Sequence, residues 1–243
     1  MARKASPRRR YELTRVVIVD DHALAREGLQ DMLADEPAIE VVGEASNGQE
    51  ALQQCSRLRP DLVFMDVRMP EMDGLAATWE IKQRYPGIIV MIMTMHENPD
   101  YLLEALKAGA AGYVLKDALP EEVVEAVWRV RDGDSPLAPT VAARLLKRLA
   151  SEEDRQGGTR PPREDPRVEP LTSRELEVLN LMRLGHTNRR ISEILWISSG
   201  TAKNHVEHII GKLGVSDRTQ AVVRALELGL LELTEESRFP PSP

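Results

Sequence analysis

A chain of 243 residues with 42% hydrophobic content is long enough for two ordinary domains, each with its own core. No apolar run reaches the roughly 18 residues that a membrane helix needs, and no signal-type apolar segment follows the basic opening MARKASPRRR, so a cytoplasmic protein without a membrane partner is expected. The formal net charge of −7 argues against nucleic-acid binding only until it is divided: residues 15–135 hold 11 Lys and Arg against 23 Asp and Glu, whereas residues 171–231 hold 8 against 6.

The first 13 residues read as a disordered basic tail. After them, short β-branched or apolar runs alternate with stretches of helical spacing. The runs are RVVIVD (15–20), IEVVGEA (39–45), DLVFMD (61–66), IIVMIM (88–93) and AGYVLK (111–116), and the helix candidates lie near 22–35, 47–58, 74–85, 98–108 and 119–132. Five βα units predict an α/β doubly wound, flavodoxin-like domain over residues 14–136, with five parallel strands in the order 2-1-3-4-5. Cys55, the single cysteine, falls at helical spacing and reads as a buried, inert thiol. Residues 137–170 read as a linker: a short amphipathic helix candidate at 139–150 is followed by a charged, Pro- and Gly-rich segment with too few apolar residues to offset its ordering entropy. Residues 171–231 predict a small all-α domain with helices near 173–184, 188–195, 199–213 and 217–229, stopped by Gly185, Gly214 and Gly229. Residues 232–243 read as a flexible tail.

In a parallel sheet every strand C-terminus opens on one edge. Here the first run ends on Asp20 and Asp21, the third on Asp66, the fourth on Thr94 and the fifth on Lys116. Strands one and three are neighbours in the predicted order, so three carboxylates converge, each pair repelling by about 4 kcal/mol at ~4 Å for an effective dielectric near 20. A hard cation such as Mg²⁺ suits such oxygen ligands, which leaves one carboxylate free to attack phosphorus. Asp66 is the choice, held by a rigid apolar strand, with Lys116 and Thr94 placed to neutralise the equatorial oxygens.

The motifs VDDH, LVFMDVRMPEMDGL, MIMTMH and GYVLKD make residues 15–135 resemble the receiver domain of two-component response regulators. The resemblance implies that Asp66 accepts phosphate from a sensor histidine kinase, and that Asp20, Asp21, Asp66 and the main-chain carbonyl of Arg68 bind Mg²⁺. It also implies that Thr94 and Lys116 bind the phosphoryl group and that Tyr113 switches rotamer as Thr94 moves. His96, two residues beyond Thr94, is placed to affect phosphate lifetime. Asp117 follows Lys116 where many receivers have proline.

In the helical half, HTNRRISEILWISSGTAKNHVEHIIGKLGV reads as helix, turn, helix, with Thr187 capping the first helix and Ser198 or Ser199 the second. Ala202, Val206, Ile209, Ile210 and Leu213 form one apolar face. The opposite face carries Gly200, Thr201, Asn204, Glu207 and His208, flanked by Lys203, and its small polar groups suit a major groove. Periodicity alone favours an ordinary amphipathic helix. The odds reverse because LTSRELEVLNLMRLGHTNRRISEIL and SSGTAKNHVEHIIGKLGVSDRTQAV resemble the LuxR-type helix-turn-helix, which makes the whole chain similar to regulators of the NarL/FixJ class. Ala202 stands where that family usually has valine. Thr201, Lys203, Asn204, Glu207, His208 and Lys212 are the expected DNA-binding residues, with Arg189, Arg190 and Arg218 as further phosphate contacts.

The resemblance implies a regulator that is not a turnover enzyme. Phosphorylation would free the helical domain to form a homodimer on double-stranded promoter DNA, with RNA polymerase as a further partner. Two other readings stay open: a Mg²⁺-dependent phosphatase, disfavoured because Arg68 occupies the place of the catalytic acid, and a receiver that is never phosphorylated and acts only by binding protein.

Overall fold

The computed structural model describes residues 13–95, 99–131, 134 and 169–231. The linker helix candidate at 139–150, both termini and His96 lie outside the described residues.

The β-branched runs form strands where their periodicity predicts. β1 (Thr14–Val19), β2 (Ile39–Ala45), β3 (Leu62–Asp66), β4 (Ile89–Thr94) and β5 (Gly112–Leu115) make one five-stranded sheet of order β2-β1-β3-β4-β5. β1 pairs in parallel with both β2 and β3, Val19 lying opposite Met65, and β3 pairs in parallel with β4, Asp66 lying opposite Met93. Val16, Val17, Leu62, Val63, Phe64 and Met65 are sealed from solvent, as central strands covered on both faces must be. The intervening helices are α1 (Ala23–Ala34), α2 (Gly48–Leu58), α3 (Gly74–Arg84), α4 (Pro99–Ala108) and α5 (Pro120–Arg131). Asn47 and Asp73 cap α2 and α3, accepting from Glu50 N at 2.9 Å and Ala76 N at 2.8 Å. Both caps sit on the loops at the C-terminal edge of the sheet, which fixes that edge.

The second half folds as α6 (Ser173–Arg183), α7 (Asn188–Leu195), α8 (Ser199–Leu213) and α9 (Arg218–Glu227). Their core holds Val178, Leu179, Ile191, Val206, Ile209 and Ala225. Ser198, rather than Ser199, caps α8 by accepting from Thr201 N at 3.0 Å, and Gly214 ends the helix at φ 66°. Glu175 and Thr172 form a reciprocal capping box on α6, and Lys212 Nζ lies 2.7 Å from Glu175 Oε2. Burial alone would raise the Glu175 pKa, but Lys212 and Thr172 outweigh it and hold the group at about 2. A carboxylate depressed from 4.5 stabilises the fold above that value and loses its contribution as pH falls toward 2. Glu175→Gln is therefore expected to flatten the acid limb of thermal unfolding between about pH 4.5 and 2. At neutral pH the same change lowers stability by about 1–3 kcal/mol.

The described residues divide into two compact units, one of 13–95 with 114–126 and one of 99–113 with 127–131, 134 and 169–231. Within the second, α9 docks on the end of α4: Thr219 Oγ1 donates to Ala111 O at 2.7 Å, and Gln220 Nε2 to Leu106 O and Ala110 O at 2.8 and 3.0 Å. Leu103, Leu106 and Val223 close a small apolar cluster there, with Leu102 and Tyr113 packed against it.

Candidate functional site

Three loops of the first unit build an acidic pocket at the strand ends. Asp20 and Asp66 are both buried, at 5% and 7% exposure, although each carries a carboxylate. Lys116 answers both: its Nζ lies 2.6 Å from Asp20 Oδ2 and 3.0 Å from Asp66 Oδ1. The lysine is aimed there because its own N–H donates to Thr94 O at 2.8 Å, tying the end of β5 to the end of β4. Burial pushes the Asp66 carboxyl up, Lys116 pulls it back, and neighbouring Asp20 adds to the rise. Burial pulls the Lys116 ammonium down, but the two carboxylates outweigh that and hold its pKa above the ordinary lysine value. The two upward shifts are consistent: two buried acids share one ammonium, which remains charged while the acids stay short of cation. Asp21 opens outward and meets His22 Nδ1 at 2.6 Å, and Asp20, Asp21 and His22 offer ligand atoms all within 4.8 Å of one another.

The β3–α3 loop that follows Asp66 is tightly turned. Glu71 adopts a left-handed φ of 65°, Met72 N donates to Pro70 O at 2.7 Å, and Gly74 N donates to Val67 O at 2.9 Å. Arg68, exposed, lies on this loop.

On α8 the apolar face is buried at Ala202, Val206, Ile209 and Leu213, while Gly200, Thr201, Lys203, Asn204, Glu207 and His208 are exposed, as the pattern predicts. Thr201 Oγ1 lies 2.8 Å from Ser198 Oγ, and Lys203 Nζ lies 3.8 Å from Glu207 one turn on. Arg189 and Arg190 are exposed on α7, each beside Glu193.

A receiver-domain model of the response regulators matches residues 16–128, and a model of the luxR family of bacterial regulatory proteins matches residues 169–225. The transcriptional regulatory protein DegU of Brevibacillus brevis is 40% identical over 90% of this chain and 95% of its own. The chain belongs to the LuxR-type response regulators. The response regulator protein VraR of Staphylococcus aureus is 35% identical over 90% of this chain and 99% of its own. A solved LuxR-family response regulator from Aurantimonas sp. SI85-9A1 is 33% identical over 57% of this chain and 99% of its own, with a TM-score of 0.53. The structure of RcsB dimers bound to two parallel DNAs, at 24% identity and a TM-score of 0.51 over 89% of this chain, shares the fold.

In this response regulator, two residues expected to touch DNA also have partners within the chain. Arg218 is 3% exposed: Nη1 reaches Asn188 Oδ1 at 3.0 Å and Asp134 Oδ1 at 3.4 Å, and Nη2 donates to His186 O. Burial lowers its pKa to about 10, with Asp134 opposing. Lys212, half-buried, meets Glu175 Oε2 at 2.7 Å and Pro170 O at 3.4 Å. Sequence patterning passed over His22 and Arg26, whose only signal was their closeness to Asp20. It also passed over Trp196, 94% exposed in the turn before α8 at a left-handed φ of 54°.

Hard oxygen donors crowd the acidic pocket, and burial raises the pKa of Asp66 within it, so the donor set fits a divalent cation such as Mg²⁺. No described helix is long and apolar enough to cross a membrane.

Proposed function

We propose that this two-component transcription regulator, whose receiver spans residues 14–136 and whose DNA-binding domain spans 171–231, is controlled by phosphorylation of Asp66. The observation that carries the reading is the pair of buried carboxylates, Asp20 and Asp66, gripping one ammonium at the sheet edge. Asp66 Oδ attacks the phosphorus of a phosphohistidine on a sensor kinase, a P–O bond forms, the P–N bond breaks, and the imidazole nitrogen keeps the electron pair. Lys116 exchanges its Asp66 contact for a phosphoryl oxygen, and the Thr94 hydroxyl holds another. Asp20, Asp21, Asp66 and the Arg68 carbonyl are the residues that would hold Mg²⁺, which supplies charge neutralisation at the transferring group. Thr94 and Tyr113 carry the change onward, a role supported for Tyr113 by its packing against Leu103, Leu106 and Val223. The protein is cytoplasmic and performs no turnover chemistry of its own; its partners are the kinase, promoter DNA, a second copy when phosphorylated or DNA-bound, and RNA polymerase. Incubation with Mg²⁺ and a small phosphodonor is expected to give a slowly decaying adduct. Multiple turnover would instead make it a phosphatase, and the lack of any adduct would leave a binding module only.

The helical domain binds double-stranded DNA through α8, with Thr201, Lys203, Asn204, Glu207 and His208 facing the major groove. Loss of Asn204 removes a base contact worth about 1–3 kcal/mol and relaxes discrimination at one position. Lys203→Ala weakens binding across all sequences and lowers the salt slope by about 1. Mobility-shift titrations at several salt concentrations check both, and unchanged affinity in both variants removes α8 as the reading helix.

A further inference from the structure

We propose that Arg26 is a positioning residue for the acidic pocket: its guanidinium spans the Asp20 main-chain carbonyl and the Glu44 carboxylate, and so fixes the turn that presents Asp20 and Asp21 together. The inference rests on the metal-site reading above and deepens it.

The turn between β1 and α1 is three residues long and has a demanding task. Asp20 must face inward and Asp21 outward, yet both must offer oxygens to one ion. Ordinary capping does not hold this turn. His22, the cap residue of α1, makes no side-chain cap bond, and the first turn of the helix carries no acid. Arg26 takes over that duty from one turn further along. Its Nη1 donates to Asp20 O at 2.8 Å and its Nε to Glu44 Oε2 at 2.8 Å, while its side chain is only 19% exposed. Glu44 stands near the end of β2, where Asp20 N also donates to Ala45 O at 3.1 Å. Both main-chain polar groups of Asp20 are thereby referred to the neighbouring strand, the N–H directly and the carbonyl through Arg26. The Asp20 carboxylate is fixed in turn by His22 N at 3.0 Å and by Lys116.

The two bonds need the planar fork of a guanidinium, because a lysine ammonium at this point would reach the carbonyl or the carboxylate but not hold both in one plane. Residues that orient metal ligands without touching the ion typically alter affinity by about tenfold or more when removed. The full-length protein titrated with MgCl₂ by calorimetry, without phosphodonor, is the test. Arg26→Gln is expected to raise the Mg²⁺ dissociation constant about tenfold, and Arg26→Lys to recover only part of it, with phosphorylation by a small phosphodonor returning to the wild-type rate at saturating Mg²⁺. Glu44→Gln, which weakens only the outer anchor, should raise the constant by a smaller factor and serves where the arginine variants do not fold. Wild-type dissociation constants in the arginine variants, or in Glu44→Gln where these do not fold, would overturn the assignment while leaving the metal site intact. So would a rate that stays low at saturating Mg²⁺. Absence of Mg²⁺ binding by the wild-type protein would overturn the metal reading itself, and this inference with it.

Discussion

Asp66→Asn is expected to leave the protein without any phosphoryl adduct in the presence of Mg²⁺ and a small phosphodonor, and to remove the phosphodonor-dependent gain in DNA affinity. An amide oxygen carries no charge to direct at phosphorus, and Asp20, the buried carboxylate beside it, is held by a hydrogen bond from His22 N as well as by Lys116. Folding should not suffer. Burial and Asp20 together raise the Asp66 pKa, so the ionised acid opposes folding at every pH above its folded-state value. Replacing it with a neutral isostere removes that cost, and the thermal midpoint at pH 7 should rise. Phosphoprotein gels and a thermal melt on the same preparation test both halves. A persistent adduct would move the acceptor to another residue, and a lowered midpoint would contradict the electrostatic account. A rise in stability on loss of function is the expected mark of a site where like charges are held together for chemistry.

Gly74→Ala is expected to be the most damaging small substitution in the first unit. A methyl group built on Gly74 would lie 1.8 Å from the carbonyl oxygen of Asp66 and 2.9 Å from its carbonyl carbon, both main-chain atoms with no freedom to rotate away. Either β3 or the start of α3 must move, at a cost of about 2–4 kcal/mol, and the acceptor moves with it. Urea unfolding should show the loss of stability, and phosphodonor labelling should fall with it. Gly28, in the interior of α1, is the internal control: nothing lies within 4 Å of its added methyl, so Gly28→Ala should stabilise by about 0.5–1 kcal/mol. If the two alanines behaved alike, the tight approach of Gly74 to the acceptor strand would not matter.

Much of this is legible in the amino-acid sequence. The strand ends Asp20, Asp66, Thr94 and Lys116 could be read because period-two and continuous apolar runs mark strands strongly, and because parallel topology sends their C-termini to one edge. The helix boundaries of the second half were equally clear, since Thr187, Ser198 and Gly214 are local signals that act within a few residues. Harder to read were the partners of two cations. Arg218 and Lys212 look like any exposed basic residue in the chain, but their partners lie far away: Asp134 is 84 residues from Arg218, and Glu175 is 37 from Lys212. Burial of a charge depends on which distant group meets it, and periodicity carries no record of that. Arg26 escaped notice for the same reason, its fork closing on Glu44 from a neighbouring strand.

The lone sulfhydryl offers a practical advantage. Cys55 is sealed inside α2 with no exposure, and burial pushes its pKa up to about 12, so almost none of it is thiolate at neutral pH. Maleimide dyes and spin labels should pass it by. Cysteines placed in pairs on exposed helices would then be the reactive thiols, and distances between two such reporters could be followed before and after phosphorylation without first deleting the native thiol.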